Sequence, residues 1–147
     1  MRSIEDGALE SGGKAVGVIP QFMVEQNWHH PALSELMITK DMHERKQTMA
    51  QLSDAIIALP GGCGTMEELC EIITWKQLGL YLKPIVILNI NGYYNHLIKQ
   101  LEQAIDEHFM GEIHGEIWSV ATTPEEALTI VANTPVWDKE VRKYAAL

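Results

Sequence analysis

The hydrophobic positions of this chain fall into short continuous runs, separated by longer segments with helical spacing. Runs that are apolar at every position, rather than at alternate ones, are typical of parallel strands covered on both faces. Proline ends two of the runs and introduces another, which marks their limits. The pattern predicts strands at residues 15–19, 55–59 and 85–89, and a weaker strand at 117–121.

Helical periodicity fills most of the chain between these strands. It predicts helices at residues 4–9, 41–52, 65–80, 94–107 and 124–132. Strands that alternate with helices indicate an α/β fold with a doubly wound parallel sheet. Residues 21–40 are less regular and are predicted to form a surface loop with one short amphipathic piece. The tail, residues 134–147, has spaced apolar side chains and is predicted to dock on this chain or on a second subunit.

Length, charge and residue counts narrow the possible functions. The length predicts one domain over residues 1–147. The formal net charge of −9 argues against a nucleic-acid partner, although a few local donors still permit a small anionic ligand. Neither the two cysteines nor the six histidines show the spacing of a metal site. No signal peptide and no run of about 18 apolar residues is visible, so a cytoplasmic location without a membrane partner is expected.

The segment Pro60–Glu68, PGGCGTMEE, joins the second predicted strand to the helix that follows it. Ligands of doubly wound sheets bind at this edge, where the strands end. Gly61, Gly62 and Gly64 let an anion approach the backbone N–H groups closely, and the helix N-terminus adds its dipole. The segment is therefore predicted to hold a phosphate. The alternative is a tight turn that only packs the helix on the sheet.

Two pairs of residues have the spacing of a helix capping box. Asp41 is predicted to cap the helix at 41–52, with Glu44 completing the box. Thr65 and Glu68 have the same spacing at the start of the helix at 65–80. Glu68 points away from the apolar side of that helix, so periodicity leaves capping and catalysis evenly matched.

Arg45 occupies an unusual position on its predicted helix. The apolar stripe of that helix consists of Met42, Met49 and Leu52. At 100° per residue Arg45 falls within the same arc, where an arginine is costly unless it is paired or exposed in a pocket. Its planar fork suits a carboxylate or a phosphate. A structural ion pair or a stem that passes the methionines is the alternative, and Lys46 at the border of the stripe can add a second cation.

The chain begins almost at once with a predicted helix, residues 4–9, which Gly12 and Gly13 end. A doubly wound domain does not normally open on a helix without a preceding strand. The front of the domain is therefore expected to be missing.

Two motifs together closely resemble the signature of the LOG (Lonely Guy) family, often labelled lysine decarboxylase-like. They are DMHERK at residues 41–46 and PGGCGTMEE at residues 60–68. The sequence is also similar at residues 17–20, 74–79 and 91–94. The resemblance runs in the same order from residue 1 to about residue 110. Tyr93 and Tyr94, in the last of these segments, are predicted to anchor a turn over the sheet edge.

The resemblance implies a homodimeric, Rossmann-like fold and a hydrolase. The enzyme would cleave the N-glycosidic bond of a nucleoside 5′-monophosphate, a cytokinin ribotide or AMP, to free base and ribose 5-phosphate. The family's catalytic pair falls on Arg45 and Glu68, and no metal or cofactor is implied. The substrate-binding residues would be Lys46, Gly61, Gly62, Cys63, Gly64, Thr65, Glu67 and Thr74.

The chain also departs from the family pattern. Members begin with two strands and two ligand loops, and Met1 aligns with the end of the second loop, so the family's first two strands are expected to be absent. The alternative function is a nucleotide-binding module or carrier without turnover. A true lysine decarboxylase is rated poorly, because pyridoxal phosphate needs a Schiff-base lysine in a ring-binding pocket and no lysine shows that context.

Overall fold

A computed structural model describes residues 2–138 and 140, and it divides the chain after Leu52 into two compact units. The first unit holds two parallel strands and three helices. Its elements are α1 (Arg2–Glu10), β1 (Val16–Pro20), α2 (Gln21–Glu25), β2 (Glu35–Thr39) and α3 (Met42–Leu52). The predicted helices at 4–9 and 41–52 and the predicted strand at 15–19 are confirmed within one or two residues.

The prediction of a surface loop over residues 21–40 is wrong. This stretch contains α2 and β2, and β2 pairs in parallel with β1 from Val16 opposite Glu35 to Pro20 opposite Thr39. Three consecutive apolar residues, Leu36 to Ile38, were the available signal. The run is short, and Ile38 is 54% exposed, so hydrogen bonds to β1 rather than burial define this strand.

The second unit holds three parallel strands in the order β3-β4-β5, together with three longer helices. Its elements are β3 (Ile56–Ala58), α4 (Cys63–Gln77), β4 (Ile85–Leu88), α5 (Asn95–Asp106), β5 (Ser119–Ala121) and α6 (Pro124–Asn133). Short 3₁₀ segments at Ile90–Gly92 and Glu112–Glu116 precede α5 and β5. All three predicted strands of this region and its three helices are confirmed.

The central strand of the second unit is buried at every position. Ile85, Val86, Ile87 and Leu88 are at most 4% exposed, which explains why their run is continuously apolar. Val86 and Leu88 form a core with Ala121 of β5 and Ala127 of α6, and Leu59 packs against it. The carboxyl end of β3 is thereby held in place.

Both units build parallel strands linked through helices, which is the predicted α/β, Rossmann-like class. The single domain and the absence of the family's first two strands stay predictions. Among the described residues, no helix combines the length and the apolar character that crossing a membrane requires.

Part of the tail docks on its own chain, through Trp137. Its N–H donates to the carbonyl oxygen of Leu82 at 2.9 Å, and the ammonium of Lys76 lies 4.8 Å from the centre of its ring. Lys76 is 1% exposed and also donates to the carbonyl oxygen of Lys83 at 3.0 Å. A cation over an aromatic face is attracted by the ring. The other apolar tail residues, Val141 and Tyr144, lie outside the described part of the chain.

Burial lowers the pKa of Lys76 to about 8 from an ordinary value of 10.5. Below pH 8 the lysine is protonated in the folded and the unfolded chain, and the buried charge costs the folded state free energy. Between these two pKa values only the unfolded chain keeps the proton, so the cost declines as the pH rises. Above pH 10.5 the free-energy cost of the buried charge has disappeared.

Replacement Lys76→Met therefore has an effect on stability that depends on pH. From about pH 7 to about pH 9.5 we expect the free energy of unfolding of the wild type to gain about 2 kcal/mol relative to the variant. Urea denaturation at both pH values measures this difference. Lys99→Met, at an exposed position of α5, is the control. If the wild type and Lys76→Met differ in free energy of unfolding by the same amount at both pH values, the lowered pKa of Lys76 is contradicted.

Candidate active site

The glycine-rich segment lies between β3 and α4, at the carboxyl end of β3. The strand ends at Ala58, and the helix begins at Cys63 with Gly62 as the N-cap residue. Gly62 has an extended backbone, φ −83° and ψ −161°, and its carbonyl accepts the first helical hydrogen bond from Met66 N–H at 3.1 Å. The strand–loop–helix junction predicted from the sequence is confirmed. We call Leu59–Gly62 the glycine loop.

The start of α4 removes one of the two interpretations of Glu68. Because the helix begins at Cys63 rather than at Thr65, Thr65 is inside the first turn and cannot be the N-cap. The predicted capping box of Thr65 with Glu68 is therefore wrong, and the N-cap residue, Gly62, has no side chain with which to cap the helix. Cys63 and Gly64 have helical conformation although glycine is a poor helix former, which shifted the prediction by two residues.

Thr65 closes over the glycine loop at Gly61. A Cβ atom at Gly61 would lie 2.3 Å from Thr65 Oγ1 and 2.8 Å from Thr65 Cβ, so only glycine fits under the first turn. Apart from the adjacent residues and, at Gly64, the backbone of its own helix, a Cβ at Gly62 or Gly64 would have no atom within 4 Å. The surface over these two residues is open, so a ligand can come close to the backbone there.

Two tyrosines from the segment after β4 hold the glycine loop. Tyr93 Oη donates to the carbonyl oxygen of Gly61 at 2.7 Å, and Tyr94 Oη donates to the carbonyl oxygen of Leu59. Burial of its ring raises the pKa of Tyr94 above its ordinary value, which keeps the hydroxyl a donor. The predicted anchor at the sheet edge is confirmed. Its contact with the loop was not predicted, although neighbouring parallel strands end at the same edge.

The turn that presents the tyrosines depends on Asn91 and Gly92. Both have positive φ, 52° and 73°. A Cβ at Gly92 would also lie 2.5 Å from Asn95 Nδ2, so conformation and space both require glycine. Asparagine tolerates the left-handed region better than most residues, which fits Asn91.

Arg45 lies on α3 of the first unit, where its Nε donates to the carbonyl oxygen of Val18 in β1 at 2.9 Å. Arg45 lies on the core-facing side of α3, as predicted, since α3 packs on β1 and the arginine is only partly exposed. The hydrogen bond fixes the plane of the guanidinium group. It favours a structural contribution of the side chain beside any role toward a ligand.

The start of α3 is built as the sequence predicts, with one difference. Asp41 Oδ1 accepts a hydrogen bond from Glu44 N–H at 2.8 Å, and this bond is the main reason that the pKa of Asp41 is lowered. The Glu44 carboxylate reaches back to Lys40 N–H at 2.8 Å rather than to the cap residue. The cap fixes the register of the helix that carries Arg45 and Lys46.

The remaining predicted site residues differ in how closely they adjoin the loop. Cys63, Gly64, Thr65, Glu67 and Glu68 all belong to the first two turns of α4, next to the glycine loop. Thr74 lies further along the helix, where its hydroxyl donates to the carbonyl oxygen of Cys70 at 2.9 Å.

The predicted site residues therefore form two groups. Arg45 and Lys46 are adjacent on α3 of the first unit, and Gly61 to Glu68 lie together in the second unit. Each group is defined by contacts within its own unit. The roles of all these residues stay predictions.

Comparison with known proteins identifies the family of the chain. Residues 1–131 match the family model described as "Possible lysine decarboxylase". A probable cytokinin riboside 5′-monophosphate phosphoribohydrolase of Oryza sativa subsp. japonica is 43% identical over 138 residues, 92% of this chain and 55% of the relative. A cytokinin riboside 5′-monophosphate phosphoribohydrolase of Arabidopsis thaliana is 38% identical over 144 residues, 97% of this chain and 63% of the relative.

A third relative has the same enzyme name. The cytokinin riboside 5′-monophosphate phosphoribohydrolase of Rhodococcoides fascians is 50% identical over 111 residues, 75% of this chain and 56% of the relative. The chain thus spans little more than half the length of the curated relatives it matches. The family model nevertheless covers nearly all of the chain, glycine loop and α3 motif included. The chain belongs to the LOG family, whose model carries the description "Possible lysine decarboxylase".

Proposed function

We propose that this chain carries the nucleotide site of a nucleoside 5′-monophosphate phosphoribohydrolase. The substrate is a cytokinin ribotide or AMP, and the products are the free base and ribose 5-phosphate. The observation that carries the proposal is the glycine-rich start of α4, which has Gly62 as its N-cap residue and is open above Gly62 and Gly64 at the end of a parallel strand. The names of the relatives supply the reaction.

The 5′-phosphate binds at the glycine loop. The first N–H groups of a helix have no partner within the helix, and the aligned peptide dipoles favour an anion at this end. No acidic residue lies in the first turn of α4. The local field therefore attracts a phosphate although the whole chain carries a net charge of −9.

Glu68 acts at the sugar in this proposal. As the bond between C1′ and the base breaks, its electron pair leaves with the base and C1′ develops positive charge. A carboxylate stabilises such an oxocarbenium-like centre and orients the attacking water. The water oxygen bonds to C1′, one of its protons goes to the departing base, and ribose 5-phosphate results. Glu68 lies in the second turn of α4, close along the chain to the phosphate-binding end.

Arg45 and Lys46 supply positive charge to the same reaction. A guanidinium with its plane fixed by Val18 is suited to a phosphate or to the negative charge that forms on the base. Thr65 and Cys63 border the phosphate, and Glu67 and Thr74 line the face of α4 beyond it. The proposal includes the homodimer and the cytoplasmic location that the sequence predicts.

The description of the family as a possible lysine decarboxylase directs attention to Lys76. This lysine is buried and its pKa is lowered, an environment that the sequence pattern did not reveal. Its ammonium is occupied by the carbonyl of Lys83 and the ring of Trp137, and it lies at the opposite end of α4 from the glycine loop. These contacts support a structural role for Lys76 and not a Schiff base.

Incubation with AMP and with isopentenyladenine ribotide tests the proposal. Chromatography should show free base and ribose 5-phosphate in equal amounts. Tight AMP binding without released base would instead establish a carrier without turnover. Cadaverine formed from lysine only when pyridoxal phosphate is present would establish the decarboxylase and refute the proposal.

A further inference from the structure

The segment that follows β4 makes hydrogen bonds to the glycine loop. Its two consecutive tyrosines contact alternate carbonyl groups, Tyr94 at Leu59 and Tyr93 at Gly61. β4 is the neighbour of β3 in the sheet, so both segments emerge at the same edge. The loop is thus held from outside its own strand–helix unit.

Tyr94 is the fixed member of the pair. It is 1% exposed, and its N–H donates to Asn89 Oδ1 at 2.7 Å. Asn89 is itself fixed, because its N–H donates to the carbonyl oxygen of Ala121 at 2.7 Å and its Nδ2 donates to Asn95 Oδ1 at 2.8 Å. Tyr94 therefore has a defined position relative to both β4 and β5.

Tyr93 is the exposed member, at 53%, and it is held against Tyr94. The two ring centres are 4.9 Å apart with perpendicular planes, an edge-to-face contact. The orientation of the Tyr93 ring is therefore restricted at both ends, by the Tyr94 ring and by the hydrogen bond from its hydroxyl to the Gly61 carbonyl oxygen. A surface tyrosine with no such contact would lose rotamer entropy on reaching the loop, whereas this one is already ordered.

The hydrogen bond from Tyr93 also determines the direction of a neighbouring donor. The peptide between Gly61 and Gly62 is trans, since the described residues contain no cis peptide bond. In a planar trans peptide the C=O and N–H vectors point in opposite directions. Holding the Gly61 carbonyl toward Tyr93 therefore turns the Gly62 N–H to the opposite side, at the helix N-cap.

We propose that Tyr93 is a positioning residue that orients the Gly62 N–H as a donor to the phosphate of the substrate. This inference rests on the proposed phosphate site and adds a residue from outside the glycine-rich motif. The peptide group between Gly61 and Gly62 cannot rotate freely while the Tyr93 hydroxyl is hydrogen-bonded to the Gly61 carbonyl oxygen. Without the hydroxyl the peptide is free to rotate, because glycine permits many backbone conformations.

Replacement Tyr93→Phe tests the inference, since it removes only the hydroxyl from an exposed ring. Inorganic phosphate and AMP are titrated into the wild type and the variant while the Gly62 amide is followed by NMR. We expect the affinity for phosphate to fall about fivefold, the loss typical of one neutral hydrogen bond. KM for AMP should rise by a similar factor while kcat changes less than about twofold, because phosphate binding is equal in ground and transition states.

Tyr81→Phe is the control, since it removes another tyrosine hydroxyl from the same unit, in this case a buried one. Tyr81 follows the C-terminal end of α4, away from the glycine loop, where its N–H donates to Trp75. It should leave the affinity for phosphate and the Gly62 amide resonance unchanged.

Three results decide between the possibilities. Tyr93→Phe with unchanged phosphate affinity and an unchanged Gly62 resonance overturns the inference. A wild type whose Gly62 amide does not respond to phosphate also overturns it. A Gly62 amide that responds to phosphate and loses this response in Tyr93→Phe supports the inference even if no base is released, in which case only the proposed hydrolysis fails.

Discussion

Glu68→Gln is expected to lower kcat for release of base from AMP by at least about 100-fold, within the range for loss of a positioned acid–base group. The amide keeps the size of the side chain but removes its negative charge, so it no longer stabilises positive charge at C1′. AMP affinity should be retained, because in the proposed site the backbone at the start of α4 holds the phosphate. Single-turnover assays and AMP titration separate the two quantities.

Glu102→Gln is the matched control, with the same substitution at an exposed position of α5. It should leave kcat and AMP affinity at wild-type values. Glu68→Gln with undiminished release of base would refute the assignment. Loss of AMP binding in Glu68→Gln would instead show that the side chain holds the substrate rather than the transition state.

Whether Arg45 acts together with Glu68 is tested by Arg45→Ala, alone and combined with Glu68→Gln. If Arg45 and Glu68 act in one step, Arg45→Ala and the double variant should have similar residual rates, because groups that act as a unit are not additive. If the arginine only holds β1 through Val18, Arg45→Ala should lower the free energy of unfolding and leave kcat of the folded protein unchanged. Urea denaturation of the same samples distinguishes these outcomes.

Gly61→Ala is expected to weaken AMP binding more than tenfold and to destabilise the fold by about 1–3 kcal/mol. The new methyl group would lie 2.8 Å from Thr65 Cβ. Rotation about χ1 of Thr65 moves Oγ1 but not Cβ, so the backbone of the loop or of the first helical turn must shift. AMP titration and urea denaturation measure the two effects.

Gly62→Ala is the informative comparison for Gly61→Ala. Its methyl group meets no protein atom within 4 Å, and its φ of −83° suits alanine, so the free energy of unfolding should change by less than about 0.5 kcal/mol. AMP affinity should nevertheless fall, because the methyl group would occupy the open space that the proposed function assigns to the phosphate. Unchanged AMP affinity in Gly62→Ala would show that the open surface is not the ligand site.

The fold could be predicted where one face of each element is buried. The run from Ile85 to Leu88 is apolar throughout because β4 is covered on both sides, so this strand could be predicted from the run alone. β2 could not be predicted in the same way. Its pairing with β1 supplies the hydrogen bonds that define it, and a pairing between strands leaves little trace in a short, half-exposed run.

The position of the glycine loop could be predicted from the sequence, but its contacts could not. Three glycines in four residues at a strand end indicated the loop correctly. The two carbonyl contacts from Tyr93 and Tyr94 depend on the neighbouring strand, and spacing within one segment does not show them. The start of α4 was misplaced because Cys63 and Gly64 have weak helix propensity, whereas the packed helix imposes its conformation on them.

The two ends of α4 differ in the charges that accompany the helix dipole. Lys76 places a positive charge in the last turn, although its burial costs free energy, whereas the first turn has no acidic residue and its N-cap residue is a glycine, which has no side chain to cap it. A bound phosphate would take the place of the missing cap. The melting temperature should therefore rise with phosphate concentration, by the equivalent of about 2.7 kcal/mol at a hundred times the dissociation constant. The choice of buffer then becomes a variable in every stability measurement on this protein.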